Sequence, residues 1–384
     1  MRPTDQDRHG GNIYNRQIRY DFSSNINPLG IPAFALQKLR EEAVCCERYP
    51  DPEYRGLKTA IAQMEQVPGE WVICGNGASE LIYALPRALA KKKERPLRAL
   101  VPQPSFSEYE RAVDAAGGQA VSFILKKENG FRITDEILNK LTPDTDLLYL
   151  CNPANPMGNR LEKDLFANIL RQCRESGTVV MLDECFLPFC EDYETASGKR
   201  VLKENPQLFV LNAFTKIYAM PGIRLGYGMC SDNTLLRGVR EQIPEWSVSQ
   251  AAQTAGTSIA RHRIREPRWD YLPRTRELIR NQQKEMAEKL RELGMEVFSP
   301  AADFICFYSR IPLFEGLERA GILIRSCANY QGLTAGYYRA AVKNPEENRV
   351  LLREIRRIVN AAGKEQYPGM QPSPGMEQAG ESCG

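Results

Sequence analysis

From Trp71 onward, short apolar runs alternate with stretches of helical period, and that alternation constrains the fold more than any other feature of the chain. WVIC precedes a helical pattern over 78–91 and RALV one over 105–116. AVSFIL and LLYLC follow, then a pattern over 162–176, then VVMLDE, LFVLNAF and LGYGMC. Runs this apolar suit strands covered on both faces, so the pattern predicts an α/β fold with a mainly parallel sheet flanked by helices. Such sheets take their ligands at the carboxyl ends of the strands. The residues just after each run are therefore the candidates for chemistry.

Around this core the pattern changes. Residues 33–46 and 54–66 read as helical, preceded by a polar, turn-rich arm ending in NINPLG. Helical period returns at 232–242, 249–262 and 268–293, the last long enough to bridge two domains. After Gly294 the strands are short (MEVF, FICFY, ILIR, YYRAAV), and a last helix carries Val350, Leu351, Ile355, Ile358 and Val359 on one face. The expected organisation is an N-terminal arm (1–32), part of a small domain (33–53), a large domain (54–265), an interdomain helix (266–293), a smaller α+β domain (294–363) and a Gly- and Pro-rich disordered tail (364–384).

Composition narrows the function. A chain of 384 residues has length for about two domains. Its 51 basic and 48 acidic residues give a net charge of +3, which points to neither a nucleic-acid nor a membrane partner. There is no long apolar span and no apolar centre near the start, so a cytoplasmic protein is expected. Eleven cysteines without a CxxC pair read as free thiols, and two histidines, His9 and His262, are too few for an evident metal site.

Five features sit where chemistry is expected. GNGASE (75–80) turns a strand into a helix and offers free backbone N–H groups at a positive helix end, a setting for phosphate, although a plain tight turn capped by Ser79 has the same pattern. Asp183 ends TVVMLD, where a carboxylate needs a cation or several donors; a loop cap or a Mg²⁺ ligand with Glu184 are its alternatives. Lys216 follows LFVLNAF, and a lysine desolvated there loses proton affinity and becomes a nucleophile. NPANPMG (152–158) places Asn152 and Asn155 at the same edge, and PGIRLGYG adds Arg224. Ser105 and Glu108 have the spacing of a helix-capping box.

The ordered set GNGASE, PSFSEY, NPANPMG, DECF, FTK, PGIRLGYG and YYRAAV resembles the fold-type I pyridoxal-phosphate (PLP) enzymes of the aspartate aminotransferase superfamily, from about residue 9 to 362. The resemblance implies a large PLP-binding domain, with the arm over the active site. Lys216 would hold the cofactor covalently, and Asp183 would pair with its ring nitrogen. Ala78, Ser79, Thr215 and Arg224 would bind its phosphate, Phe106 would stack on the ring, and Asn155 would donate to its phenolic oxygen. Tyr49 would reach the phosphate in the neighbouring subunit, which implies a homodimer. Arg339 would clamp the substrate α-carboxylate and Arg325 a substrate phosphate, with His9, Asn12 and Asn27 also at the substrate. Ala213 stands where relatives carry a hydroxyl that touches the cofactor phosphate.

Two subfamilies share this layout, histidinol-phosphate aminotransferase and threonine-phosphate decarboxylase of cobalamin biosynthesis. RHGGNIYN, DFSSNINPLG, FTKIYAMPGIRLGYG and RSCANYQGL look like the decarboxylase, as does Phe186 where the aminotransferase generally has tyrosine. The resemblance thus implies decarboxylation of L-threonine O-3-phosphate. Aminotransfer from histidinol phosphate or an aromatic amino acid and decarboxylation of serine phosphate are the alternatives, and a non-catalytic PLP-binding regulator is the alternative of another class.

Overall fold

The computed structural model describes residues 9–14, 16–298 and 301–366. The arm enters the fold through β1 (Tyr20–Asp21), and α1 (Ala33–Glu41) and α2 (Arg55–Glu65) follow. The large sheet starts with β2 (Val72–Asn76), which turns directly into α3 (Gly77–Ala90). Then come β3 (Arg98–Gln103), α4 (Glu108–Ala115), β4 (Gln119–Ile124), β5 (Leu147–Cys151), α5 (Lys163–Ser176), β6 (Val179–Asp183), α6 (Tyr193–Ala196), β7 (Leu208–Ala213), the single turn α7 (Phe214–Ile217) and β8 (Leu225–Met229). Helices α8 (Asn233–Arg240), α9 (Gln250–Arg265) and α10 (Tyr271–Glu292) lead into β9 (Glu296–Val297), β10 (Phe304–Tyr308), α11 (Phe314–Arg319), β11 (Ile322–Leu323), β12 (Arg325–Ser326), β13 (Tyr337–Ala341) and α12 (Pro345–Gln366).

The seven strands of the large sheet lie in the order β2-β8-β7-β6-β5-β3-β4. Only β8 runs against its neighbours, and the other pairings are parallel. The apolar runs explain this placement, since β5, β6 and β7 are buried along almost their whole length and need helices on both faces. One edge therefore collects the carboxyl ends of six strands and the amino end of β8. Cys151, Asp183 and Leu211 are in register there.

Gly226 on β8 lies opposite both Gly75 and Ala213. A Cβ on it would come within 2.3 Å of the Ala78 nitrogen and 2.5 Å of the Gly77 carbonyl carbon. Only a bare backbone lets β8 pass under the first turn of α3. Gly226→Ala is expected to destabilise the fold by about 1–3 kcal/mol, read as a lower melting temperature.

The second sheet has the order β12-β13-β10-β9 and is antiparallel. The arm is woven onto it: β1 pairs with β11, and the Ala341 amide donates to the Phe22 carbonyl over 2.8 Å. Helix α10 ties the two sheets together. Its Arg276 Nη2 donates to Pro188 O over 2.9 Å, its Gln283 amide donates to Ala302 O and Phe304 O, and its Gln282 accepts from Asn348.

Three expectations need correction. Residues 33–53, expected with the small domain, pack on α9 instead, because Phe34 stacks on His262 at 4.0 Å and meets Trp269 edge-on at 5.4 Å. Thr254 and Gln253 of α9 also donate to Glu42 and to Asp51 O. The capping box does not form: α4 begins only at Glu108, whose carboxylate is occupied by His9, Tyr83 and Arg111. Finally, α12 continues to Gln366, into the segment expected as tail. The remainder of that tail lies outside the described residues. Among the described residues no disulfide is formed, and no helix is long and apolar enough to cross a membrane.

Candidate active site

A cavity of about 510 Å³ opens at the carboxyl edge of the large sheet, beneath the arm and the small sheet. Local sequence explains how its groups arrive there. LFVLNA is buried as β7 up to Ala213, and the chain then turns once as α7, which delivers Lys216 to the cavity wall. Burial pushes the Lys216 amine below its usual proton affinity; Arg339 and Arg224 act in the same direction and Asp303 opposes them. Lys216 is the one lysine among the residues that line the cavity.

Asp183 ends β6 and is also in the wall. One oxygen, Oδ2, accepts from the Tyr109 hydroxyl over 2.7 Å, and Oδ1 accepts from the Cys185 amide over 2.9 Å. Burial and the adjacent Asp183 charge keep the Tyr109 phenol protonated, so it acts as a donor. Tyr109 is itself fixed by stacking on Tyr149 at 4.8 Å and by an edge contact from Phe106 at 5.8 Å. The two bonds fix the direction in which the carboxylate points. Tyr109→Phe removes a bond to a charged acceptor, about 1.5–3 kcal/mol. Binding of a cation at Asp183 is expected to weaken by about tenfold or more, measured as cofactor dissociation.

The anion cradle is built from backbone. β2 ends directly at α3, so Ala78 and Ser79 present a helix start to the cavity. Gly77, at φ +75°, donates its amide to Arg224 O over 3.0 Å. A Cβ at Gly77 would stand 2.5 Å from the Arg224 guanidinium, so the glycine makes room for that side chain. Arg224 and Thr215 line the cavity as well.

Two arginines face the cavity from the small sheet. Arg325 and Arg339 are directly opposite each other on β12 and β13 and are 5% and 6% exposed. Arg339 donates to Asn155 Oδ1 and to Ser23 O, and its Nε has no hydrogen-bond partner among the described residues. Arg325 donates to Ser326 O and Asn329 Oδ1 and lies over the Tyr330 ring at 5.1 Å. Like charges directly opposite each other repel. Anions arriving through the cavity relieve that repulsion.

The arm supplies one further wall. His9 Nε2 is 2.8 Å from Glu108 Oε1, and its ring is 5.6 Å from that of Phe106. Burial lowers the proton affinity of His9, helped by Arg325 and Arg111, while Glu108 opposes this. Phe186 lines the cavity and meets Phe304 edge-on at 5.2 Å, an apolar surface with no donor.

Of the residues expected at the site, Ala78, Ser79, Phe106, Asn155, Asp183 and Thr215 all line this cavity, and so do Lys216, Arg224, Arg325, Arg339 and His9. Three do not. The Asn27 amide is spent on Ile217 O and Thr275 Oγ1, so it fastens the arm to the turn that carries Lys216. Asn12 lies on the arm outside the cavity lining. Tyr49 is 80% exposed, its ring tilted against that of Trp246 with centroids 4.7 Å apart. Sequence reading missed Tyr109 and Glu108 as site residues. Both stand in PSFSEY, two and three residues after the predicted Phe106, and that nearness was the available signal.

A buried lysine, a hydrogen-bonded carboxylate and a helix start thus meet on one sheet edge, faced by two arginines. The chain belongs to the aminotransferase class I and II family, whose model matches residues 18–355. Within that family the chain is similar to threonine-phosphate decarboxylase of Salmonella typhimurium, 36% identical over 91% of this chain and 96% of the relative. It is also similar to an adenosylcobalamin biosynthesis bifunctional protein of Leptospira interrogans, 30% identical over 90% of this chain and 40% of that longer protein. Among solved structures, histidinol-phosphate aminotransferase from Clostridium acetobutylicum superimposes with a TM-score of 0.81 at 30% identity, covering 89% of this chain and 99% of that one.

Proposed function

We propose that this chain is a PLP-dependent decarboxylase that converts L-threonine O-3-phosphate to (R)-1-amino-2-propanol O-2-phosphate and CO₂ for cobalamin biosynthesis, working as a homodimer. The observation that carries the reading is the buried cross-strand pair Arg325 and Arg339 facing the same cavity as Lys216. That pair calls for a substrate with two anionic groups, and an amino acid phosphorylated on its side chain has both. The similarity to threonine-phosphate decarboxylase supports the same substrate.

The residues fit PLP. The cradle of α3, Thr215 and Arg224 suits a phosphate, Phe106 provides a ring face, Asp183 is held ready for a protonated ring nitrogen, and Lys216 is a desolvated amine. When bound, PLP supplies an electron sink for the pair left at Cα as CO₂ departs. Arg339 binds the α-carboxylate in bidentate fashion. Arg325 and the arm at His9 hold the substrate phosphate, and this second anchor turns the carboxylate toward the direction in which the C–C bond breaks. Lys216 then delivers a proton to Cα. The apolar Phe186 and the docked arm keep water from the reacting carbon. Tyr49, exposed on this chain beside Trp246, would reach the neighbouring site of a dimer.

The test is to incubate the PLP-loaded protein with L-threonine O-3-phosphate and, in parallel, with histidinol phosphate plus 2-oxoglutarate, following products by mass spectrometry. Aminopropanol phosphate with CO₂ is expected. Glutamate formation without CO₂ would move the function to aminotransfer on the same site.

A further inference from the structure

The carboxylate of Asp303 is an anomaly in this structure. The residue stands just before β10, is fully buried at 0% exposure, and neither of its oxygens has a hydrogen-bond partner among the described residues. An unpaired carboxylate in a protein interior is costly, and asparagine would occupy the same volume without a charge. The position is held firmly by backbone: Asp303 O accepts from the Val342 amide over 2.7 Å, and the residues on both sides of Asp303 receive the Gln283 amide of α10. The carboxylate therefore cannot move to solvent.

Three cations bear on Asp303: Lys216 from α7, Arg339 from β13 and Lys343 just beyond β13. Lys216 in turn is faced by Asp303, Arg339, Cys185 and Arg224, and Asp303 is the largest of these influences. Arg339 is short of one partner, since its Nε is buried and unpaired. Asp303 thus stands outside the cavity lining itself, the Arg339 guanidinium lies over the ring of the adjacent Phe304 at 5.6 Å, and the charges of Lys216 and Arg339 reach its carboxyl.

We infer that Asp303 is a positioning residue: its buried negative charge offsets Lys216 and Arg339 from behind and sets how readily the Lys216 nitrogen holds its proton. Two cations against one wall repel each other, and both have to remain in place while the cavity holds no anion. With its carboxyl ionised, Asp303 supplies the opposite charge during that time. An anion brought to Arg339 by substrate adds negative charge beside Asp303, which favours uptake of a proton by its carboxyl. Burial already pushes that carboxyl up to about 7, with Lys216, Arg339 and Lys343 opposing the push, so it exchanges a proton near neutral pH.

The inference rests on the PLP reading and deepens it. Its test needs no substrate. The visible absorption band of the PLP-loaded protein is titrated with pH in the wild type and in Asp303→Asn, and the midpoint reports protonation at the Lys216 nitrogen. Loss of a nearby anion is expected to lower the midpoint by about one pH unit, a tenfold loss of proton affinity. Asp303→Ala, which has no amide, is expected to shift it equally, and Asp303→Glu to restore part of the shift. A purely structural aspartate would instead give a lower melting temperature in Asp303→Asn with the midpoint unmoved to within about 0.2 units, and that result overturns the inference. A wild type with no visible band after loading overturns the PLP reading, and the inference with it.

Discussion

Lys216→Ala is expected to lower turnover by at least about 10⁴-fold, since it removes both the nucleophilic amine and the group that returns a proton to Cα. Among the described residues no second lysine lines the cavity to replace it. The amine is buried and desolvated, so its removal takes a costly polar group out of the interior. The melting temperature of the cofactor-free variant is expected to equal or exceed that of the wild type. Steady-state rates with the phosphorylated substrate, a thermal melt and a visible spectrum together check this. The band of the lysine-bound cofactor should be missing in the variant, and a variant that keeps both the band and the rate would remove Lys216 from the mechanism.

Arg325→Gln is expected to raise KM for L-threonine O-3-phosphate by about 10²-fold or more. Truncating one partner of a buried, hydrogen-bonded charge pair costs about 2–5 kcal/mol. The proposed cofactor cradle lies on the large sheet, and Arg325 reaches the cavity from the small one, so cofactor affinity is expected to stay within about threefold. The control is unphosphorylated threonine, for which wild type and variant should be almost equal. A similar loss with both substrates would assign Arg325 to the carboxylate rather than the phosphate. A drop in kcat with KM unchanged would mean that its contact forms only in the transition state.

The contrast between these two residues shows how much could be read along the chain. Lys216 was legible because its setting is local: an apolar strand ends, and a polar residue of the right chemistry follows. Asp183 was legible for the same reason. The strands of the large sheet were also found close to their observed bounds, since continuous burial on both faces leaves an unbroken apolar run. Arg325 and Arg339 gained their roles only through the family resemblance, because arginines on two-residue and five-residue strands carry no periodic signal.

Other features were illegible for a physical reason. Glu108 has the spacing of a capping partner, and nothing nearby in sequence announces that His9, far back on the arm, will claim it. Phe34 was assigned to the wrong domain because the aromatic cluster that receives it, His262 and Trp269, lies at the end of a distant helix. Asn27 has the polarity of a ligand-binding residue, yet its hydrogen bonds are closed within the protein.

Hydrophobic period and the order of motifs were thus enough to establish an α/β chain with its chemistry at one sheet edge, because both depend on residues within a strand or turn of each other. The pairing of Arg325 with Arg339, the docking of the arm and the burial of the Asp303 carboxyl were decided by tertiary structure alone. Each is a meeting of segments far apart in the chain, and electrostatic energy depends on distance through space and on burial, neither of which is written in local sequence.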